Sequence, residues 1–191
     1  MDRRKALIRI SWLVGGSLVS LVGYKWVRFN IVPGLDFLLG QKRLIASLVD
    51  VIIPKTDSPS ASECNVHDFV IKMVIECTDV HSQNNFVSGL AELEEYSLSE
   101  FNKSFVECSE IEKNNIVSHH YNNERQQGGI IGKLQKKLLG KSFLYTLREY
   151  TVIGYFTSEL GATKALRYSH IPSKYIACQP YATGEKAWAT F

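Results

Sequence analysis

Gln41-Lys42-Arg43-Leu44-Ile45-Ala46-Ser47-Leu48-Val49-Asp50-Val51-Ile52-Ile53 decides the fold class. Its apolar residues, Leu44, Ile45, Leu48, Val49, Ile52 and Ile53, recur at i, i+1, i+4, i+5, i+8 and i+9, which lines one face of an α-helix and does not alternate as a half-buried strand would. Pro54 stops the helix, and Lys55-Thr56-Asp57-Ser58-Pro59-Ser60-Ala61-Ser62 is rich enough in turn formers to read as a loop.

Working towards the C-terminus, Asn65 reads as the N-cap of a second helix, with Asp68 in its first turn and Phe69, Val70, Met73, Val74 and Cys77 as its apolar stripe. His81-Ser82-Gln83-Asn84 is expected to close that helix. A third runs from about Asn85 through Phe86, Leu90 and Leu93 towards Tyr96. Ser109-x-x-Glu112 has the form of a capping box and opens a fourth through Ile116 and Val117. Asn122 to Gly129, polar and glycine-ended, reads as a surface connection. The last strong helix spans about Ser142 to Leu160, through Phe143, Leu147, Tyr150, Thr151 and Gly154, with Gly161 placed as a left-handed cap. Beyond it, Arg167 to Phe191 holds Pro172, Pro180 and Gly184 among several aromatics and reads as an extended segment lying on something. No pair of strands joined by a tight hairpin turn is present in the pattern. The expected fold is all-α: a compact bundle of about five helices with an extended, aromatic-rich C-terminal tail.

Towards the N-terminus the pattern changes. Arg3, Arg4, Lys5 and Arg9 precede an apolar run of 13 residues from Ile10 to Val22, and polarity returns at Lys25 and Arg28. A basic start, an apolar core and a polar exit form an address rather than part of a fold. The run is short of the ~20 residues needed to cross a ~30 Å hydrocarbon layer and contains Gly15 and Gly16, which favours a signal core. Leu7, Ile8, Tyr24, Trp26 and Val27 extend it towards spanning length, which keeps a retained anchor as the alternative. Arg3 and Arg4 ahead of a weakly apolar, glycine-containing run resemble a twin-arginine signal, the address of a route that exports folded proteins. Ala6 stands where that signal usually has Phe, and no Ala-x-Ala cleavage site follows the run. Residues 1–30 are therefore set apart as signal or anchor, and residues 31–191 as one helical domain.

Charge divides at the same place. Of 22 basic and 19 acidic residues, six basic and one acidic fall in residues 1–28, leaving 16 against 18. A nearly neutral domain has no clustered cationic footprint, so nucleic-acid binding is discounted. About 160 residues can bury roughly 70% of the surface of the unfolded chain without cross-links. No two of Cys64, Cys77, Cys108 and Cys178 form a C-x-x-C pair, so no bridge is assigned, and buried free thiols are the expectation.

Catalytic chemistry finds no motif. His119 and His120 are adjacent, which on a helix points them about 100° apart, and no third ligand stands at i+4. There is no phosphate loop, no G-x-G-x-x-G after a strand and no G-x-S-x-G elbow. Thr157-Ser158-Glu159 offers hydroxyls and a carboxylate without a neighbouring histidine, which suits a helix end better than a nucleophile.

Two blocks carry a family resemblance. Leu147-Arg148-Glu149-Tyr150-Thr151-Val152-Ile153-Gly154-Tyr155-Phe156-Thr157-Ser158-Glu159-Leu160-Gly161, followed by Leu166-Arg167-Tyr168 and Ile171-Pro172-Ser173-Lys174-Tyr175-Ile176-Ala177-Cys178, resembles the C-terminal signature of the gluconate 2-dehydrogenase subunit 3 family. Leu48-Val49-Asp50-Val51-Ile52-Ile53-Pro54-Lys55-Thr56-Asp57-Ser58-Pro59, followed by Val66-His67-Asp68-Phe69-Val70, resembles its first block. The resemblance brackets residues 41 to 181 and is loose over 84–141.

It implies a small, helical, non-catalytic subunit with no cofactor of its own, accompanying a large FAD-containing oxidoreductase of the glucose-methanol-choline (GMC) type, with haem c in a third, cytochrome subunit. In such complexes the small subunit carries the twin-arginine signal, which would make Arg3 and Arg4 the export address of the whole complex and its location the periplasm, membrane-associated through residues 1–28 or through the complex. Candidate interface residues are Tyr155, Thr157, Ser158 and Glu159 on the last helix and Tyr168, Tyr175, Tyr181 and Trp188 in the tail, because Tyr and Trp are enriched at interfaces. The alternative for Tyr155, Tyr168 and Tyr175 is that they complete the domain's own core. Two other readings stand beside this one: a membrane-tethered interaction protein whose partner is not a dehydrogenase, and a metal-dependent enzyme using His119 or His120.

Overall fold

The computed structural model describes residues 36–126, 140–171, 178, 180 and 182–189. A short helix, α1 (Asp36–Gly40), leads into α2 (Lys42–Ile52), which forms on the periodicity read above and buries Leu44, Ile45, Leu48 and Val49. The loop after Pro54 is tied down at both ends. Asp50 accepts the backbone N–H (2.8 Å) and hydroxyl (2.6 Å) of Ser62, and the Tyr155 hydroxyl donates to the carbonyl of Pro59 at 2.8 Å.

Helix α3 (Val66–Cys77) starts where the sequence placed it, for a different reason. Asn65 makes no side-chain cap; it occupies the left-handed region at φ 55°, a conformation its short polar side chain tolerates. Asp68 turns outward to Lys42 at 2.8 Å. The buried face is Val66, His67, Val70, Ile71 and Val74, with Phe69 and Met73 half-buried and Cys77 exposed, so the stripe is rotated from the expected one. The rotation follows from packing, because α3 meets both α2 and the last helix.

His81-Ser82-Gln83-Asn84 does not close α3. The chain breaks at Thr78, and Asp79 caps a new helix, α4 (Val80–Phe101), by accepting the Ser82 N–H at 3.0 Å. Gln83 then seals the end of α3 from outside, its buried amide donating to the carbonyls of Val74 (2.9 Å) and Ile75 (3.1 Å). A 3₁₀ turn (Phe105–Glu107) seats Phe105 in the core before α5 (Glu110–Gln126). The capping box opens α5 as read: the Ser109 N–H donates to Glu112 at 2.7 Å and the Glu112 N–H to Ser109 Oγ at 3.4 Å. The first of these holds the Glu112 carboxyl below its ordinary value. Asn122 to Gln126, expected in a connection, still belong to α5, and the rest of that stretch lies outside the described residues.

Helix α6 (Phe143–Thr157) packs on α2, α3 and α4 and completes the bundle. The close approach depends on glycine at two crossings. A Cβ at Gly89 of α4 would stand 2.4 Å from Phe143 Cβ, and one at Gly154 of α6 would stand 2.6 Å from the Phe69 ring. The start of α6 is fixed by its neighbours rather than by Ser142, whose side chain makes no cap bond to the helix. Glu124 of α5 accepts the Ser142 hydroxyl (2.8 Å) and the Leu144 N–H (3.2 Å). From α4, Ser82 Oγ accepts the Lys141 N–H at 2.8 Å, and Asn85 donates to the Lys141 carbonyl at 3.0 Å.

Gly161 is not a left-handed cap. It opens a π-helical turn (Gly161–Ala165) and is buried where an added Cβ would meet the Tyr155 carbonyl oxygen at 1.9 Å. Among the described residues the chain is all-helical, with one isolated parallel β-bridge between Arg167 and Trp188. All four cysteines are free; Cys64 and Cys108 are buried, whereas Cys77 and Cys178 are exposed, contrary to the expectation of buried thiols throughout.

Two expected outcomes follow from how α6 is seated. Gly89→Ala places a methyl group against the root of Phe143, which cannot swing away, so it should cost about 1–3 kcal/mol in thermal unfolding despite the helix propensity gained. Gly154→Ala meets the Cδ1 side of the Phe69 ring, which is half-buried and can swing outward about its own side-chain bonds, and should cost less; equal losses would contradict this. Burial, reinforced by Glu92, pushes the Glu124 carboxyl above its ordinary value. The folded state therefore holds that proton more tightly than the unfolded one, and the group's contribution to stability declines as pH rises from the ordinary carboxylate range through its raised value. Glu124→Gln, which keeps an acceptor without charge, should remove that decline in melts recorded between about pH 4 and about pH 8. Glu124→Ala should also flatten the profile, losing about 1 kcal/mol against the wild type at the acid end of that range and less as pH rises.

Candidate functional site

Helix α6 is apolar on both its inner and outer faces apart from Arg148 and Glu149. Its inner face buries Phe143, Leu144, Leu147, Tyr150, Thr151, Gly154 and Tyr155. Its outer face carries Tyr145, Val152, Ile153 and Phe156, and Leu160 follows past the break at Ser158; these five are 36–46% exposed. A helix apolar on both sides is ordinarily covered on both. Val152, Ile153 and Phe156, neighbours on one helix face, are the exposed apolar cluster that marks a candidate interaction site. Lys141 and Glu149, paired at 2.5 Å, border it at the Tyr145 end, where the Lys141 ammonium stands 5.6 Å from the Tyr145 ring centre.

The end of α6 is shaped by Thr157 and Ser158. Thr157 folds its hydroxyl back to the Ile153 carbonyl at 2.7 Å. Ser158 donates to the Tyr155 carbonyl (2.7 Å) and accepts the Gly161 N–H (3.0 Å), which turns the chain into the π-helical segment. Glu159 is exposed, and its backbone carbonyl accepts the Thr163 hydroxyl at 2.6 Å. Thr157, Ser158 and Glu159 thus gather at one corner. Tyr155 does not join them at the surface: it is 2% exposed and belongs to the domain's own core, which corrects its place among the interface candidates.

In the tail, Tyr168 and Trp188 are exposed, and Trp188 lies under the Arg167 guanidinium at 4.2 Å. Tyr175, Tyr181 and the address residues Arg3 and Arg4 lie outside the described residues. The residues that sequence reasoning missed are Val152, Ile153, Phe156 and Leu160. They lie in the same stretch, Tyr150 to Gly161, from which the helix candidates were drawn; Tyr155 and the polar residues at its end were singled out there, and these apolar residues were not.

His119 and His120 serve packing between helices. His119 stacks on Tyr96 of α4 (centroids 4.3 Å, 16° between planes), and His120 meets the same ring edge-on at 5.6 Å. Burial, and then its neighbour His119, pull the His120 pKa down. Among the described residues, no three His, Cys, Asp or Glu side chains are grouped to hold a metal, and no helix is long and apolar enough to cross a membrane. What the described residues offer is a contact surface on the outer face of α6.

Compared with curated proteins and with solved structures, the chain finds no match in either. The family model described as gluconate 2-dehydrogenase subunit 3 matches residues 40–172, which takes in α2 through α6, the loop pinned by Tyr155 and the π-helical turn. Covering more than two-thirds of the 191 residues, that match takes in the first block noted in the sequence and the second as far as Pro172, stopping short of Ser173 to Cys178, and the chain belongs to the gluconate 2-dehydrogenase subunit 3 family.

Proposed function

We propose that this chain is the non-catalytic accessory subunit of a periplasmic FAD-dependent dehydrogenase of the GMC type, and that it supports export and stability of the flavoprotein subunit. The family match carries the reading, and the partly exposed apolar residues on the outer face of α6 supply the surface through which a larger subunit would be held. Flavin chemistry, and with it the choice of substrate, belongs to the partner; haem c belongs to a cytochrome subunit where one is present. Arg3 and Arg4 supply the address. A flavin is loaded inside the cytoplasm, so a holoenzyme has to cross folded, and the twin-arginine route accepts folded cargo. One address on the small subunit then serves the whole complex.

The interface reading makes α6 the anchor. Covering the remaining exposed area of Val152, Ile153, Phe156 and Leu160, which are 36–43% exposed, would contribute about 0.5–1.3 kcal/mol each, since a full side-chain burial is worth about 1.5–3 kcal/mol. That is enough to hold a subunit once the cost of association is met by the wider contact.

A tagged chain recovered from the envelope fraction should bring a larger polypeptide with flavin absorbance; recovery of this chain alone would sink the proposal. Phe156→Asp should weaken that co-recovery by about 2 kcal/mol or more while leaving the melting temperature of the isolated subunit within a few degrees. Replacing both Arg3 and Arg4 with lysine should strand this chain and the flavoprotein together in the cytoplasm. A flavoprotein still reaching the periplasm would remove the escort role and leave the accessory role standing.

A further inference from the structure

Residues 182–189 contribute no helix and no core side chain, yet they are held in place by contacts that converge on two residues after α6. Both backbone groups of Arg167 are taken by this tail: its N–H donates to the Ala187 carbonyl at 2.7 Å, and its carbonyl accepts the Ala189 N–H at 3.0 Å. The Arg167 guanidinium stacks on the Trp188 ring and pairs with Glu185. Glu185 in turn closes a turn on Ala182, helped by Gly184 at φ +87°. Lys186 adds a bond from its ammonium to the Lys164 carbonyl in the π-helical turn. Ordering an extended segment of this length is entropically costly without such contacts.

We propose that Arg167 is the positioning residue of a C-terminal clip, which it folds before any partner arrives, so that Trp188 and Tyr168 are presented to the larger dehydrogenase subunit on an ordered element. The partner half of this proposal rests on the function proposed above; the clip itself does not. A guanidinium is required because only its flat, delocalised cation can lie on an indole face while its edge donates to a carboxylate. A lysine keeps the charge and loses the plane. Folding the tail in advance removes an ordering cost from association, which would show in how readily the complex forms.

The test is hydrogen exchange on the full chain, read at the amides of residues 167 and 189, together with the rate of complex formation with the co-purified flavin-containing subunit. In the wild type both amides should be protected. Arg167→Ala should speed their exchange about tenfold or more while amides of α2 to α6 are unchanged, with Arg167→Lys in between and assembly slowed several-fold. Trp188→Ala, at an exposed site, should reproduce the effect from the other side of the stack and answers for any misfolding of Arg167→Ala. Free-peptide exchange in the wild type, or unchanged protection in Arg167→Ala and Trp188→Ala, would overturn the clip. A loosened clip with unaltered assembly would overturn its role in seating the partner. Failure to recover any flavin-containing subunit would count against the proposed function while leaving the exchange result on the free chain to decide the clip.

Discussion

The fold depends on how closely α6 can lie against α3 and α4. Phe143 sits on the bare backbone of Gly89, its ring edge-on to Phe86 at 5.2 Å, and Gly154 lets the Phe69 ring approach from the other side. Two absent side chains bring three helices together, and the apolar residues of α2 then find a floor in α6 as well as in α3. The arrangement leaves no slack to be taken up by rotation, because protein interiors are close-packed and a methyl group at either crossing has nowhere to go without moving its neighbour. Everything that faces outward from α6 is consequently set by contacts on its inward side.

Polar bonds fix the position of α6 along its axis where packing alone would allow sliding. At its start, Glu124, Ser82 and Asn85 hold residues 141–144 from two different helices. Midway, the Tyr150 hydroxyl meets Thr78 at 2.9 Å, beside the end of α3. Near its close, the Tyr155 hydroxyl reaches the Pro59 carbonyl, and Ser158 turns the chain. These bonds span 20 to 96 positions in sequence where they join α6 to Glu124 and Pro59. Buried polar groups need partners, and here the partners are distant segments, so satisfying them also specifies the register.

That distribution explains what could be read from the sequence. The helix of 42–52 and the capping box at Ser109 and Glu112 were legible because their determinants lie within a few residues of each other: a periodic face in one case, a reciprocal pair of bonds in the other. The break at Thr78 was missed although Asp79 and Ser82 carry a capping pattern, because the stripe of α3 runs on towards polar residues that resemble an ending. Gly161 shows the opposite failure. Its position after an apolar helix fits a left-handed cap, and what decides otherwise is the Tyr155 carbonyl, whose location depends on the whole π-helical turn. Tyr155 was an interface candidate on composition, and only the distant Pro59 carbonyl reveals that its hydroxyl is already satisfied inside. Roles set by tertiary partners could not be assigned from the sequence, and the cap at Asp79 shows that a local determinant is also lost where a neighbouring pattern runs over it.

The outer face of α6 draws these threads together. An apolar patch on a loosely held helix would be a liability, since local opening exposes the core along with it and invites non-specific association. Here the helix is clamped at its start, its middle and its end by groups that do not belong to it, so Val152, Ile153 and Phe156 remain at the surface as a shaped ridge rather than as the leading edge of unfolding. A subunit that is to be held by its partner in a folded state, as the proposed export route demands of both, is served by such a ridge. The inward bonds keep the scaffold rigid while the outward side chains stay partly exposed. The polar residues that specify the fold and the apolar residues that remain exposed are thus two sides of the same helix, and the first hold the second in place.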